Sequence, residues 1–404
     1  MVIITAQDYM LIFGAIHGEN KMSDVSNIKV MKKYKKEYYD SNWDNKVLNY
    51  DTSKYDWEGL FLHTVQEKIP KIKNLDQLHL HIKFSQIPEM RRHLESMTRG
   101  EYFRSLIDQF FEEYISPLLP STNYMIQTVP GIRLVLPNQE QTGKLLPWHT
   151  GYHTGYDNGI YSVWTPVTKT WDTNAMQVLS LNDTIDVMNK FQSERLSLYQ
   201  LQELCRSKAT PTTLDIGKSW LFNQGHLHGN FNNDTGVSRV SFDTRALVQG
   251  TNYGYRYPGG FYRIRGEENK FKILKNISDR NWIVLADQGS DYVGSTPQFI
   301  IREFMMNWCK QFNITPYDWQ NEYLYTDWNP NLQFFMDMGA SKGFIFPSIY
   351  AISSTIENRI KLFEKALDND IHLIFIDENI YLDSADALEY IKKIYAFTYK
   401  GKNE

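Results

Sequence analysis

The sequence predicts a two-domain protein: a β-rich, double-sheet domain of which a jelly roll is one example, set behind N-terminal helices, then an α/β domain with a parallel sheet. Three observations carry this. Short apolar runs separated by turn clusters fill residues 124–248. A Gly/Tyr/Arg-rich stretch, GTNYGYRYPGGFYRIRGEEN, follows at 250–269. Beyond it, strand-like runs alternate with segments long enough for helices, the pattern of a parallel sheet. At 404 residues the chain is long for one domain and comfortable for two. The division expected is a helical region over 1–120, a β core over 121–250, a linker over 251–270 and an α/β domain over 271–404.

In the first region, EMRRHLESMTRGEYFRSLIDQFFEEYISPLL spaces Leu94, Met97, Phe103, Leu106, Ile107, Phe110 and Phe111 by threes and fours, which predicts one or two amphipathic helices. Pro117 and Pro120 end them. The β core reads as TNYMIQTV, IRLVLP, IYSVWTPVT, AMQVLSL, KSWLFN and SRVSFDTRALV, with GYDNG, LNDT and NNDTG as turns. One charged helical insertion, FQSERLSLYQLQELCRSK, breaks the series. In the last region WIVLA, NEYLY, GFIFPSIY and IHLIFI each precede a helix, near 297–312, 330–338, 354–368 and 383–396.

Composition narrows the function. A net charge of -4 makes no electrostatic case for nucleic acid. No stretch approaches the ~20 apolar residues of a membrane span, and the N-terminus lacks a basic leader, so a cytoplasmic protein is expected. The two cysteines, Cys205 and Cys309, lie far apart without CxxC spacing and predict neither a disulfide framework nor a thiolate zinc site. Aromatics reach 14%, which suits broad pockets for polar or sugar-like ligands as well as core filling.

The chemistry concentrates in two segments, LLPWHTGYHTGYDNGIYSVWTPVT and WLFNQGHLHGNFNNDTGVSRVSFDTR, which hold His149, His153, His226 and His228. Two separated imidazole-bearing strands can converge on a metal. Arg239 follows His228 by eleven residues, within Arg239-Val-Ser241. Folded back through a turn, a pair at that spacing can put the histidine on a metal and the arginine deeper, where it would bind a keto acid's distal carboxylate with help from the Ser241 hydroxyl. Pairing of Arg239 with Asp234 or Asp243 is the plainer alternative. Trp148, Tyr152, His153, Asp157 and Trp164 are candidate pocket residues, and aromatic core packing is the competing role for the tryptophans. Asn174 and Gln177 are candidates for hydrogen bonds to the co-substrate.

In the order His149, Trp164-Thr-Pro-Val-Thr168, Thr173-Asn-Ala-Met176, His228, Arg239-Val-Ser241, residues 124–248 resemble the iron(II)/2-oxoglutarate-dependent oxygenases of the phytanoyl-hydroxylase-like branch, those of bacterial carbohydrate and aminoglycoside clusters above all. The resemblance implies a double-stranded β-helix, iron on His149 and His228, 2-oxoglutarate on Arg239 and Ser241, and hydroxylation of a small carbohydrate-related substrate. The spacing to Arg239 in that family selects His228 over His226. One departure stands out: where the family has a carboxylate, this chain has Gly151. Three explanations stay open: a chloride or other halide in the vacant position, giving a halogenase; water or a nearby acid such as Asp157; or loss of productive iron binding, leaving a non-catalytic carbohydrate-binding module.

Residues 280–398 are similar, in Pro297-Gln-Phe-Ile-Ile-Arg302, Glu322-Tyr323, Gly343-Phe-Ile-Phe-Pro-Ser348 and Ile371-His-Leu-Ile-Phe-Ile-Asp-Glu378, to uncharacterised proteins of sporadic bacterial carbohydrate clusters. The order of elements also resembles the catalytic domain of serine recombinases, but Leu285-Ala-Asp-Gln-Gly-Ser290 lacks the arginine of their nucleophile motif, and recombinase chemistry is not expected. Asp287, Ser290, Glu322, Ser348 and Asp377 fall at strand ends, where they either line a second site or cap helices. No GxGxxG or GxxxxGK[ST] supports nucleotide binding.

Overall fold

The computed structural model describes residues 45–138, 148–151, 160–250, 256–267, 277, 280–287, 290, 292–293, 296–322, 329–339, 341–352 and 354–399. Two compact units part within 258–266: one comprises the described residues from 45 to Tyr257 with 262–266, the other 258–261 with the described residues from Glu267.

The first unit is built on two antiparallel sheets. The larger has seven strands: β1 (Lys46–Asn49), β2 (Tyr124–Gln127), β3 (Gly131–Val135), β4 (Ile160–Pro166), β7 (Lys218–Asn223), β9 (Arg239–Val248) and β10 (Tyr262–Ile264). Their order is β1-β7-β4-β9-β2-β10, with β3 on β9. The smaller joins β5 (Gln177–Val178), β6 (Thr210–Pro211) and β8 (His228–Gly229) in the order β6-β5-β8.

Strand β9 organises the unit because its two faces differ in kind. Side chains alternate across a strand, and here Val240, Phe242, Ala246 and Val248 join the main hydrophobic core while Arg239, Ser241, Asp243 and Arg245 share the opposite face. The apolar face is covered by helices α1 (Trp57–Gln66), α2 (Ile87–Thr98) and α3 (Glu101–Phe110). Asp56 caps α1 by accepting from Gly59 N at 2.8 Å, satisfying a donor that the helix itself cannot. Trp57, Phe61 and Phe103 meet the Phe242 ring at centroid distances of 5.5, 5.6 and 5.9 Å. Helices α2 and α3 are separate because Gly100 is extended between them. The charged insertion is likewise two helices, α4 (Leu181–Ser193) and α5 (Leu198–Arg206), each started by a serine cap, Ser180 and Ser197.

Two segments differ from the sequence expectation. The helical N-terminal region contributes β1, which pairs with β7; four residues are too few for an alternation to stand out. The Gly/Tyr/Arg-rich stretch expected as a linker contributes β10 to the large sheet. Its anchor is Arg263, which donates from both terminal nitrogens to Asp108 of α3 at 2.9 and 2.6 Å.

The second unit holds one five-stranded sheet, order β12-β11-β13-β14-β15, made by β11 (Ile283–Ala286), β12 (Asp318–Asn321), β13 (Gly343–Phe346), β14 (His372–Phe375) and β15 (Ile380–Leu382). The first four run parallel and β15 is antiparallel to β14. Its helices among the described residues are α6 (Gln298–Gln311), α7 (Pro330–Met338), α8 (Ile356–Asp368) and α9 (Ala385–Tyr399). The strand that pairs with β11 ahead of α7 is the polar DWQN, where pairing overrides composition; residues 323–325 of the expected NEYLY strand lie outside the described residues. Cys309 is buried on α6, and burial pushes its thiol up to about 12, so it stays protonated core filler.

The strand-end polar residues of this unit serve turns and caps. Asp287 accepts from Asn329 Nδ2 at 3.1 Å and its carbonyl from Ser290 Oγ at 2.8 Å. Glu322 accepts from Asn331 N and Leu332 N at the start of α7. Glu378 accepts from Ser348 Oγ at 2.6 Å and Ile349 N at 3.0 Å. Burial, reinforced by Asp377, pushes the Glu378 carboxyl from 4.5 up to about 8. The folded chain therefore holds a proton between those values that the unfolded chain has released, and stability falls as pH rises through that window by up to about 1.4 kcal/mol per unit. Urea unfolding of the full chain between pH 5 and 8 should show this decline, and Glu378→Gln, which keeps the shape without the charge, should flatten it.

No helix among the described residues is long and apolar enough to cross a membrane.

Candidate functional site

An antiparallel bridge between distant segments brings the two candidate ligands into register. His149 and His228 face each other in an antiparallel bridge, exchanging both backbone hydrogen bonds at 3.0 Å. Directly opposed residues project to the same side of a sheet, and the two imidazole centroids lie 4.4 Å apart. His228 also pairs with Val178 of β5, so it is flanked by β5 on one side and by His149 on the other.

The tautomer of His228 follows from its partner. Nδ1 lies 2.8 Å from the His226 carbonyl oxygen, which can only accept, so Nδ1 carries the proton and Nε2 keeps its lone pair. Burial, with His149 beside it, holds the His228 pKa well below the ordinary value, leaving a neutral imidazole fit to bind a cation. His226 is engaged elsewhere: its Nδ1 donates to Leu179 O at 3.0 Å and its Nε2 lies 3.3 Å from Asn45 Nδ2.

Both histidines line a cavity of about 790 Å3 together with side chains of β3, β4, β7 and β9, a size suited to a small organic ligand. Trp164, Phe222 and Met176 give it apolar walls, and Arg239, Asp243, Arg245, Arg133, Asn230 and Ser162 its polar ones. Arg239 is 3% exposed. Its Nη1 donates to Asn174 O at 2.9 Å and Asn230 Oδ1 at 2.8 Å, while Nε is buried without a partner among the described residues. Burial, with Arg133 nearby, pushes its pKa down to about 9, which still leaves the guanidinium charged at neutral pH. Its carbon lies 5.9 Å from the Trp164 ring centre. Ser241, on the same strand face, has its buried Oγ without a partner among the described residues. Two orphaned donors on one strand face are what an anionic guest would satisfy.

Asp243 pairs with Arg133 at 3.0 Å and Arg245 at 2.8 Å, not with Arg239. Burial alone would raise this carboxyl, but the two arginines outweigh it and hold it below the ordinary value.

Other sequence candidates fall differently. Trp148, expected in the pocket, packs among Leu179, Val187, Met188, Leu201 and Leu227 instead. As the neighbour of His149 on an extended segment it faces the other way. Gln177, expected on the co-substrate, donates its amide to Asp172 O and Ala175 O. Asn174 accepts from Trp171 N at 2.8 Å and closes a turn. Neither Asn174 nor Gln177 is among the cavity residues. Tyr152, His153 and Asp157 lie outside the described residues. Among the described residues no three His, Cys, Asp or Glu side chains converge as a metal set. Arg133, Arg245, Asn230 and Ser162 escaped sequence reasoning, and Asp243 entered it only as a partner for Arg239, although the polar alternation of R-x-S-x-D-x-R in β9 marks three of the six positions beyond Arg239 as one face.

Gly229 leaves room for the Trp148 ring. A Cβ there would lie 2.7 Å from Trp148 Cδ2 in the buried cluster. Gly229→Ala should therefore lower stability by about 1–3 kcal/mol, as overpacking does, with a matching drop in Tm by circular dichroism.

No known protein family matches the chain by sequence, and no curated protein matches it significantly. Among solved structures it is similar to EvdO2 from Micromonospora carbonacea var. aurantiaca complexed with 2-oxoglutarate, at 12% identity and a TM-score of 0.32 over 50% of this chain and 86% of that one. It is similar to iron-bound EctD from S. alaskensis at 14% identity and a TM-score of 0.29, over 50% of this chain and 72% of that one. It is similar to the N-terminal catalytic domain of TP901-1 integrase at 10% identity and a TM-score of 0.25, over 28% of this chain and 91% of that one. Likeness of this size leaves the functional assignment to the geometry of the site.

Proposed function

We propose that the first unit is an iron(II)- and 2-oxoglutarate-dependent oxygenase that hydroxylates a small carbohydrate-derived substrate. The observation that carries this reading is the cross-strand pair of His149 and His228, opening on a cavity that also holds the buried Arg239. The residues fit the cofactors at two ends. Two imidazoles, one with its Nε2 lone pair fixed by the His226 carbonyl, suit iron(II). The unpartnered donors of Arg239 and Ser241 suit the distal carboxylate of the keto acid. Bound there by His149 and His228, with the keto acid on Arg239, iron(II) would supply oxidation of a substrate C–H bond by dioxygen, with 2-oxoglutarate as the co-reductant converted to succinate and carbon dioxide.

The protein's own part is binding, orientation and exclusion of water. Arg239 fixes the keto acid at the end away from the histidines, its charge held against the Trp164 ring. Trp164, Phe222 and Met176 keep the interior dry. Ser162, Asn230 and the Arg133–Asp243 pair present donors and acceptors that match a hydroxyl-rich substrate.

A second reading, a metal-free carbohydrate-binding module on the same scaffold, is favoured by crowding at Gly151, where a carboxylate would meet the Gln224 side chain. Anaerobic titration with iron(II) and 2-oxoglutarate separates the two. A weak visible charge-transfer band is the expected result. Its absence at saturating iron would select the module.

A further inference from the structure

We infer that Gln224 decides what can stand beside the two histidines: its side chain fills the place that a side chain at position 151 would take, and so closes that place to a protein carboxylate and to a halide alike. This rests on the metal reading of His149 and His228.

The observations concern one close approach. Gly151 N donates to Gln224 O at 2.7 Å, so the two backbones are locked together. A Cβ on Gly151 would lie 2.5 Å from Gln224 Cβ and 2.8 Å from Gln224 Cδ, and would collide with Oε1 as well. Separations under 3.0 Å require something to move, and Gln224 has little freedom to do so. It is 2% exposed. Its Nε2 donates to Ser162 Oγ, itself 1% exposed on β4 and part of the cavity wall. The turn that carries it is held by Gly225 N donating to Asn223 Oδ1 at 2.7 Å. A glycine at 151 is thus a requirement of the Gln224 side chain, and its missing carboxylate does not leave an open berth. With that place filled by a neutral amide, no anion joins the histidines from this side. Hydroxylation, and not halogenation, is the outcome such a site permits. Gln224 acts as a positioning residue, by occupying space.

Cobalt(II), as a spectroscopic stand-in for iron(II) in the full-length protein with 2-oxoglutarate, tests this without turnover. The wild-type visible spectrum should be unchanged by sodium bromide, and Gln224→Gly should gain a bromide-dependent shift. Gly151→Asp should weaken cobalt binding by about 10-fold or more, the scale on which disturbed metal surroundings act, and Gly151→Asp/Gln224→Gly should restore it. A bromide shift in the wild type would overturn the inference, as would Gly151→Asp binding cobalt at least as tightly as wild type. If Gln224→Gly does not fold, Gln224→Ala removes the amide and serves the bromide arm. If no variant binds cobalt, the metal reading fails, and the close approach is judged by thermal unfolding. There Gly151→Ala should lower Tm and Gln224→Gly should suppress that loss in the double variant; additive losses would sink the steric claim.

Discussion

His228→Ala is expected to abolish the visible band formed with iron(II) and 2-oxoglutarate and to weaken metal binding by more than about 100-fold, the upper end of what loss of a mere supporting contact costs. The expectation follows from the donor set. Position 151 offers no side chain, and no acidic group converges with the histidines among the described residues. Each imidazole therefore carries a larger share of the binding than it would beside a carboxylate. Folding should survive, because the backbone bridge between His149 and His228 does not depend on the ring. Isothermal titration with iron(II) under argon, alongside a circular dichroism melt, separates the two effects. Unchanged metal affinity in a folded His228→Ala protein would remove the imidazole pair from consideration as the metal site.

The second large effect belongs to Arg239. Hydrogen bonds to charged groups contribute about 1.5–3 kcal/mol each, so loss of a two-pronged grip should weaken 2-oxoglutarate binding by about 100-fold or more. Arg239→Met, close in volume, should leave iron binding nearly intact while the band demands far more keto acid. In the same variant the thermal protection that 2-oxoglutarate gives the wild type should vanish. A folded Arg239→Met variant whose band forms at the keto-acid concentration of the wild type would place Arg239 in the protein's fold and not on the ligand.

The parts of this site that could be read in the sequence are those with a spacing. The eleven residues from His228 to Arg239 pointed to two residues of one cavity. What escaped lacks a local signature. Gln224 sits in a turn, and only the approach of the segment bearing Gly151 gives it meaning. Arg133 reaches Asp243 from another strand. Trp148 was misplaced for a reason the sequence did contain, since neighbours on an extended segment point to opposite faces. In the fold, β12 hid behind polar composition and β1 behind its four-residue length, whereas α2 and α3 were visible because helix periodicity accumulates over many turns.

Strand β9 carries the hydrophobic seam on one face and Arg239, Ser241, Asp243 and Arg245 on the other. A substitution there alters one of the two, but a single-residue insertion or deletion exchanges them, sending charges into the aromatic cluster and Phe242 into the cavity. Lineages descending from this chain are thus free to explore new chemistry along β9 by point change, one alternate position at a time, while its length and phase are frozen.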